Sequence, residues 1–272
     1  MSDGQATTGE LSQPSIVQWA TTAWRDALAA FQQMPGVLSI AALASFVVHL
    51  LTLPVASYVG KSLGGDVASA LVLLLDGFVM TPAAIAVHRF VLLGECATKY
   101  NLEPSEPRFR RFFFFVVVVQ LVTAIPIALA YFAQNNIPGR LGAVVALIFV
   151  AIITAGLVLM LRLLLLFPAI AVDAPGIAWT NALQDTKGHA WHMLFIIVLT
   201  AIPLVVLVMV VGGALYLVLS GLGAEVLGRV IASVVQAIQS ILTAVLYAAL
   251  ASRMFAAFGD RLKASADRPV GA

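Results

Sequence analysis

Six stretches of about 20 residues or more pass almost without Asp, Glu, Lys or Arg, and this feature limits the fold before any motif is read. A helix needs about 20 apolar residues to cross a hydrocarbon core roughly 30 Å thick. The stretches run at about 37–59, 67–93, 112–132, 141–167, 193–219 and 230–258. None alternates apolar with polar residues as barrel strands do, and all are too long for such strands. Helices then satisfy every backbone hydrogen bond within the segment. The expectation is an all-α, polytopic membrane helical bundle of six transmembrane helices. Composition excludes the alternatives. Only 10% of the 272 residues are charged and the mean hydropathy is +1.02, too apolar for a soluble globule or a disordered chain. A net charge of +2, with no basic run interleaved with aromatics, makes nucleic acid an unexpected partner.

Six spans place both termini on one side. Eleven basic residues fall on that side: Arg25, Arg89, Lys99, Arg108, Arg110, Arg111, Lys187, Arg253, Arg261, Lys263 and Arg268. The other side holds three, Lys61, Arg140 and Arg229, and Arg162 lies within a span. The positive-inside rule puts the termini in the cytoplasm. Residues 1–14 contain Asp3 and Glu10 and no basic residue, so no cleavable signal is expected and the segment reads as a polar tail, as does 261–272. Residues 15–260 read as one membrane domain. Cys96 has no possible internal disulfide partner and reads as a reduced thiol in a cytoplasmic loop.

Two segments read as cytoplasmic amphipathic helices lying on the membrane. In 15–33, Ile16, Ala20, Trp24, Ala27, Leu28 and Phe31 recur at helical spacing opposite Gln18, Thr22, Arg25, Gln32 and Gln33. In about 175–190, Asp173 is the expected cap, Pro175 fits the first turn, and Trp179, Leu183 and Trp191 alternate with polar residues. Trp19, Trp24, Trp179 and Trp191 are the candidate interfacial anchors, because indole favours the headgroup layer. The pattern Ala23-Trp24-x-x-Ala27-Leu28 recurs as Ala178-Trp179-x-x-Ala182-Leu183, which fits either a duplication or two independent interfacial helices.

Polar groups at depth need partners. Measured along their helices, His49 and Asp76 come to nearly the same level, so a hydrogen bond between them near the midplane is expected, with Gln236 and Gln239 as further candidates. Such a pair reads as a proton-linked or ligand-coordinating centre, or as a polar clip whose carboxyl burial keeps neutral. Arg89, Arg162 and Arg253 all come near the cytoplasmic ends of outward-to-inward spans. They either snorkel or converge on a phosphate, which guanidinium groups match well. Asp185, His189 and His192 have helical spacing but lack the glutamate of H-E-x-x-H, and no phosphate loop or nucleophile elbow occurs. Neither metal nor other cofactor is expected. Pro54, Pro82, Pro126, Pro168 and Pro203 predict kinks.

The order of surface helix, two spans, basic loop, two spans ending in Arg162-Leu-Leu-Leu-Leu-Phe-Pro168, then Gly176-Ile-Ala-Trp-Thr-Asn-Ala-Leu-Gln-Asp-Thr-Lys-Gly-His189-Ala-Trp191 and two more spans resembles a bacterial family. That family is the membrane domain associated with glycerophosphoryl diester phosphodiesterases, with its free-standing six-span relatives. The resemblance spans roughly residues 15–260, and its motif lies in Arg162 to Trp191. It implies an inner-membrane module with a lipid-related role. Only fourteen residues follow Phe258, so the family's soluble phosphodiesterase domain is not expected. Three functions follow as expectations: a non-enzymatic protein binding lipid, a protein partner or a second copy of itself at the cytoplasmic face; a transporter or lipid translocator; and an enzyme acting on a lipid phosphodiester.

Overall fold

A computed structural model describes residues 15–59, 63–137, 139–221 and 225–264. Residues 1–14, Lys61 with its two neighbours, and the segment with Arg268 lie outside the described residues. The described residues are helical without strands: α1 (Ile16–Gln33), α2 (Pro35–Val59), α3 (Leu63–Leu93), α4 (Pro107–Asn136), α5 (Gly139–Leu163), α6 (Leu166–Ala171), α7 (Trp179–Asp185), α8 (Ala190–Gly221), α9 (Glu225–Phe258) and α10 (Asp260–Lys263). The chain is therefore a helical bundle, with five helices individually long and apolar enough to cross a membrane. Among the described residues the number becomes six if the bent pair α1–α2 counts as one span.

Local chemistry sets the boundaries. Ser15 and Gln18 form a reciprocal capping box, the Ser15 hydroxyl accepting from Gln18 N and the Gln18 amide oxygen accepting from Ser15 N at 2.8 Å. Pro35 opens α2 at a 96° bend from α1. Gly94 ends α3 in the left-handed region at φ 70°, and its N–H donates to Phe90 O. Pro82, Pro126 and Pro203 lie inside α3, α4 and α8.

α3 and α9 form the centre. α2 packs on both, α1 crosses α9 and α8, and α4 joins α3 while pairing with α5 as a hairpin. The core gathers at one end, here called the near half, where α1, α6, α7 and α10 lie. Among its buried residues are many small ones: Ala23, Ala30, Ala41, Ala83, Ala169, Ala171 and Ala249 are all fully covered, beside larger side chains such as Met34, Leu166 and Met254. Small side chains let helix backbones approach, and close packing is what associates helices in lipid. The opposite, far half is built of large residues that face outward, Leu147, Met209 and Leu217 among them.

Two expectations change here. The segment 175–190 is not one interfacial helix: α7 spans seven residues, and Asp173 ends the preceding helix rather than beginning the next. At φ 51°, Asp173 occupies the left-handed position after α6, with its N–H on Ile170 O and the Ala174 N–H on Ala169 O, the paired bonds of a Schellman ending. Asp tolerates this conformation better than most residues. The tail also begins later than residue 261, because α10 is docked and Leu262 is fully buried.

Candidate functional site

The three arginines at the near end each meet a protein acceptor. Arg89 Nη1 donates to Ala171 O at 3.1 Å, at the last residue of α6, and Arg89 Nε donates to Glu95 at 2.8 Å. Arg162 Nη2 donates to Leu183 O in the last turn of α7, and its Nε lies 3.4 Å from the buried Thr186 hydroxyl. Arg253 grips Asp26 of α1 with two bonds, Nε to Oδ2 and Nη2 to Oδ1, the latter at 2.9 Å. Two of these guanidinium groups thus serve helix C-terminal carbonyls, where a cation is electrostatically favoured. The structure does not bring the three together on a shared phosphate position; each fastens a different short element to the bundle.

The stretch from Arg162 to Trp191 has a structural account of the same kind. A Cβ on Gly176 would lie 2.2 Å from Arg261 O and 2.8 Å from Leu262 O, so only glycine admits the C-terminal segment there. Gly176 N donates to Leu262 O at 3.0 Å, and Asn181 Nδ2 donates to Gly176 O at 2.9 Å. The Asp185 carboxylate accepts from Arg261 N and Leu262 N at 3.1 Å, capping α10. His189 stacks on Phe258 at 4.9 Å, so Asp185 and His189 serve separate purposes. Among the described residues no cluster of three or more His, Cys, Asp or Glu could hold a metal.

The tryptophans divide. Trp19 is 9% exposed and stacks on Phe258 at 5.8 Å, and Trp24 is half-buried with Nε1 donating to Thr200 O at 3.1 Å. Both lie inside protein rather than in a headgroup layer. The face of α1 expected to meet lipid instead covers α8 and α9, while Leu28 points outward at 57% exposure. Trp179 and Trp191 are exposed, as anchors require. The shared Ala-Trp pattern therefore sits in helices of 18 and 7 residues, with its tryptophans in unlike surroundings.

His49 and Asp76 lie side by side, but His49 Nε2 stands 3.6 Å from Asp76 Oδ1, longer than the hydrogen bond expected between them. Ser45, one turn before His49 and fully buried, donates to the same oxygen at 2.5 Å. Sequence reading missed Ser45, although its i, i+4 relation to His49 places both on one face of α2. Gln236 is exposed to the outside of the bundle. Asp26 was also missed. It sits among apolar neighbours on the covered face of α1, and a buried acid in an amphipathic stripe is itself a signal of a basic partner.

Apart from Arg261 and Lys263 of α10, five other basic residues are exposed at the near end: Arg25, Lys99, Arg110, Arg111 and Lys187. None is ion-paired to a described residue. Arg108 is paired, with Glu106 at 3.2 Å and with Asp173. Beside them, Tyr100 donates from its hydroxyl to Val79 O at 2.7 Å, and burial pushes its phenol above the ordinary value. Cys96 is exposed, with its Sγ 3.2 Å from Gln33 Oε1. In the far half, a shallow groove of about 530 Å³ between α4 and α5 is lined by apolar residues including Leu121, Pro126, Ile152 and Leu159.

No protein-family model, curated protein or solved structure matches the chain.

Proposed function

We propose that the chain is a multi-pass protein of a bacterial inner membrane, with both termini cytoplasmic, that binds anionic lipid headgroups at its near face without catalysing a reaction. The observation that carries this reading is the start of α4. Arg110 and Arg111 lie in its first turns, exposed and without a described acidic partner, and that turn has no acidic residue. Cations at a helix N-terminus oppose the helix dipole, at a cost of about 0.3–1 kcal/mol each. An external anion offsets that cost, and Phe114 of the block that follows is exposed, whereas Phe112 and Phe115 are buried in the bundle. Exposed Trp179 and Trp191 suit the same interface. The resemblance to the membrane domain of glycerophosphoryl diester phosphodiesterases supports a lipid-related role in the same direction.

The phosphate-binding residues in this reading are Arg25, Arg110, Arg111 and Lys187, whereas Arg89, Arg162 and Arg253 act as internal fasteners. Arg110→Gln/Arg111→Gln should lower retention of phosphatidylglycerol or cardiolipin, read by native mass spectrometry, several-fold, and added salt should mimic the loss. Equal retention in the double variant and the unaltered protein overturns the proposal.

A further inference from the structure

We propose that the groove between α4 and α5 seats one acyl chain of a bilayer phospholipid, from the leaflet whose headgroups meet Arg110 and Arg111; for its headgroup end this rests on the function proposed for that face. The groove has a local cause. Gly156 lets α5 come so close to α4 that a Cβ there would lie 2.9 Å from Val122 Cγ1. Val122, Pro126 and Gly156 are half-buried along this contact, while Leu121, Ile125, Ile152 and Leu159 stand out beside it, each at least 40% exposed. Every side chain lining the groove is apolar, so a polar occupant would lose its hydrogen bonds to water there without replacement.

Position along α4 ties the groove to the charged end. Val118, Val122 and Ile125 follow Arg111 by seven, eleven and fourteen residues, which puts Arg111 on the groove's own face of the helix. Arg110, Phe114, Leu121 and Ile125 form an exposed row along its edge. On the α5 side, Trp179 lies 5.2 Å from Phe115, two turns before Val122, and is itself exposed. Cations, an indole and an apolar trough thus follow one another along one line, in the order of the parts of a phospholipid. The lengths agree. Residues 121–126 lie about 15–22 Å beyond Arg111 at 1.5 Å per residue, and one leaflet supplies about 15 Å of a hydrocarbon core roughly 30 Å thick. The end of a chain anchored at Arg111 therefore falls in the groove. Its width favours a chain over a helix from a second copy. A volume of about 530 Å³ spread over roughly 10 Å from Ile152 to Leu159 gives a section of about 50 Å², roughly half that of a helix 10–12 Å across.

The full-length protein in phosphatidylcholine vesicles tests this with phosphatidylglycerol carrying a photoreactive diazirine on one acyl chain, the adducts being located by peptide mass. A diazirine at the chain end should label 121–126 and 152–159 several-fold more than Val205, Val206, Leu207 and Val210 of α8, which are of similar exposure. A diazirine beside the glycerol should label Phe114 and Trp179 instead. Ala155→Trp, which fills the groove from its exposed side, should lower the chain-end labelling several-fold; if that variant does not fold, labelling of the unaltered chain still decides. Phosphatidylcholine with the same diazirine separates this proposal from the headgroup reading: equal labelling of the groove by both lipids upholds the seat and overturns the anionic preference. Three results overturn the seat itself: chain-end label spread evenly over α4, α5 and α8, glycerol-side label near Phe132 at the other end of α4, or cross-links from the groove to a second copy in place of lipid.

Discussion

The near and far halves of this bundle are made from the same long helices yet assembled by different rules. In the near half, alanines bring helices into close contact, and every connection is fastened by a charged side chain: Arg89 to α6, Arg162 to α7, Arg253 to α1 and Asp185 to α10. In the far half, Val205, Val206, Leu207, Met209 and Val210 of α8 are all between 49% and 72% exposed, so that helix is apolar around its whole circumference. In lipid such a surface costs nothing, because acyl chains are as apolar as leucine. The difference teaches that burial in this protein follows helix approach and polar fastening, not hydrophobicity, which is higher where burial is lower.

The comparison breaks most readily at a buried leucine. Leu166→Ala, at a side chain with no exposure, should cost about 2–4 kcal/mol through the cavity it leaves, whereas Leu207→Ala should change stability by less than about 0.5 kcal/mol. Thermal unfolding in one detergent measures both, and equal losses would erase the distinction between halves. Next in size, Gly176→Ala forces backbone apart and should cost about 1–3 kcal/mol, releasing the segment after Gly259 to limited proteolysis. Arg253→Gln should loosen α1 by about 1 kcal/mol, a figure reduced because the arginine side chain is 40% exposed, and hydrogen exchange over residues 16–33 should rise. The smallest effect is expected in the far half. A Cβ at Gly212 meets nothing within 4 Å, so Gly212→Ala should stabilise α8 by about 0.5–1 kcal/mol; destabilisation there would reveal packing the far half is argued to lack.

Part of this was legible in the residues. The bounds of the spans follow from uncharged length, and α2, α3, α4, α8 and α9 each contain the stretch expected of them. The level of His49 against Asp76 was readable because two antiparallel helices only three residues apart in sequence convert residue number into depth. The fourth span runs on past Arg162: only Leu164 and Leu165 interrupt the helix, and Gly139–Ala171 together are long and apolar enough to cross a membrane, although α6 at its end is buried in protein. Hydropathy cannot separate a residue buried in protein from one buried in lipid. For the same reason Trp19 reads as interfacial when it is interior, and Trp24 when it is half-buried against α8.

What the sequence determined by itself is the solvent and the secondary structure. A backbone in lipid must satisfy its hydrogen bonds within the segment, and that requirement acts on each stretch of about 20 residues without reference to any other. What only the tertiary structure decided is the partner of each polar group: that Arg253 meets Asp26, that Arg162 meets the end of α7, and that Ser45 joins His49 on Asp76. An arginine near a membrane surface can reach a headgroup, a carbonyl or a carboxylate at similar cost, so the choice falls to whichever element the fold lays beside it.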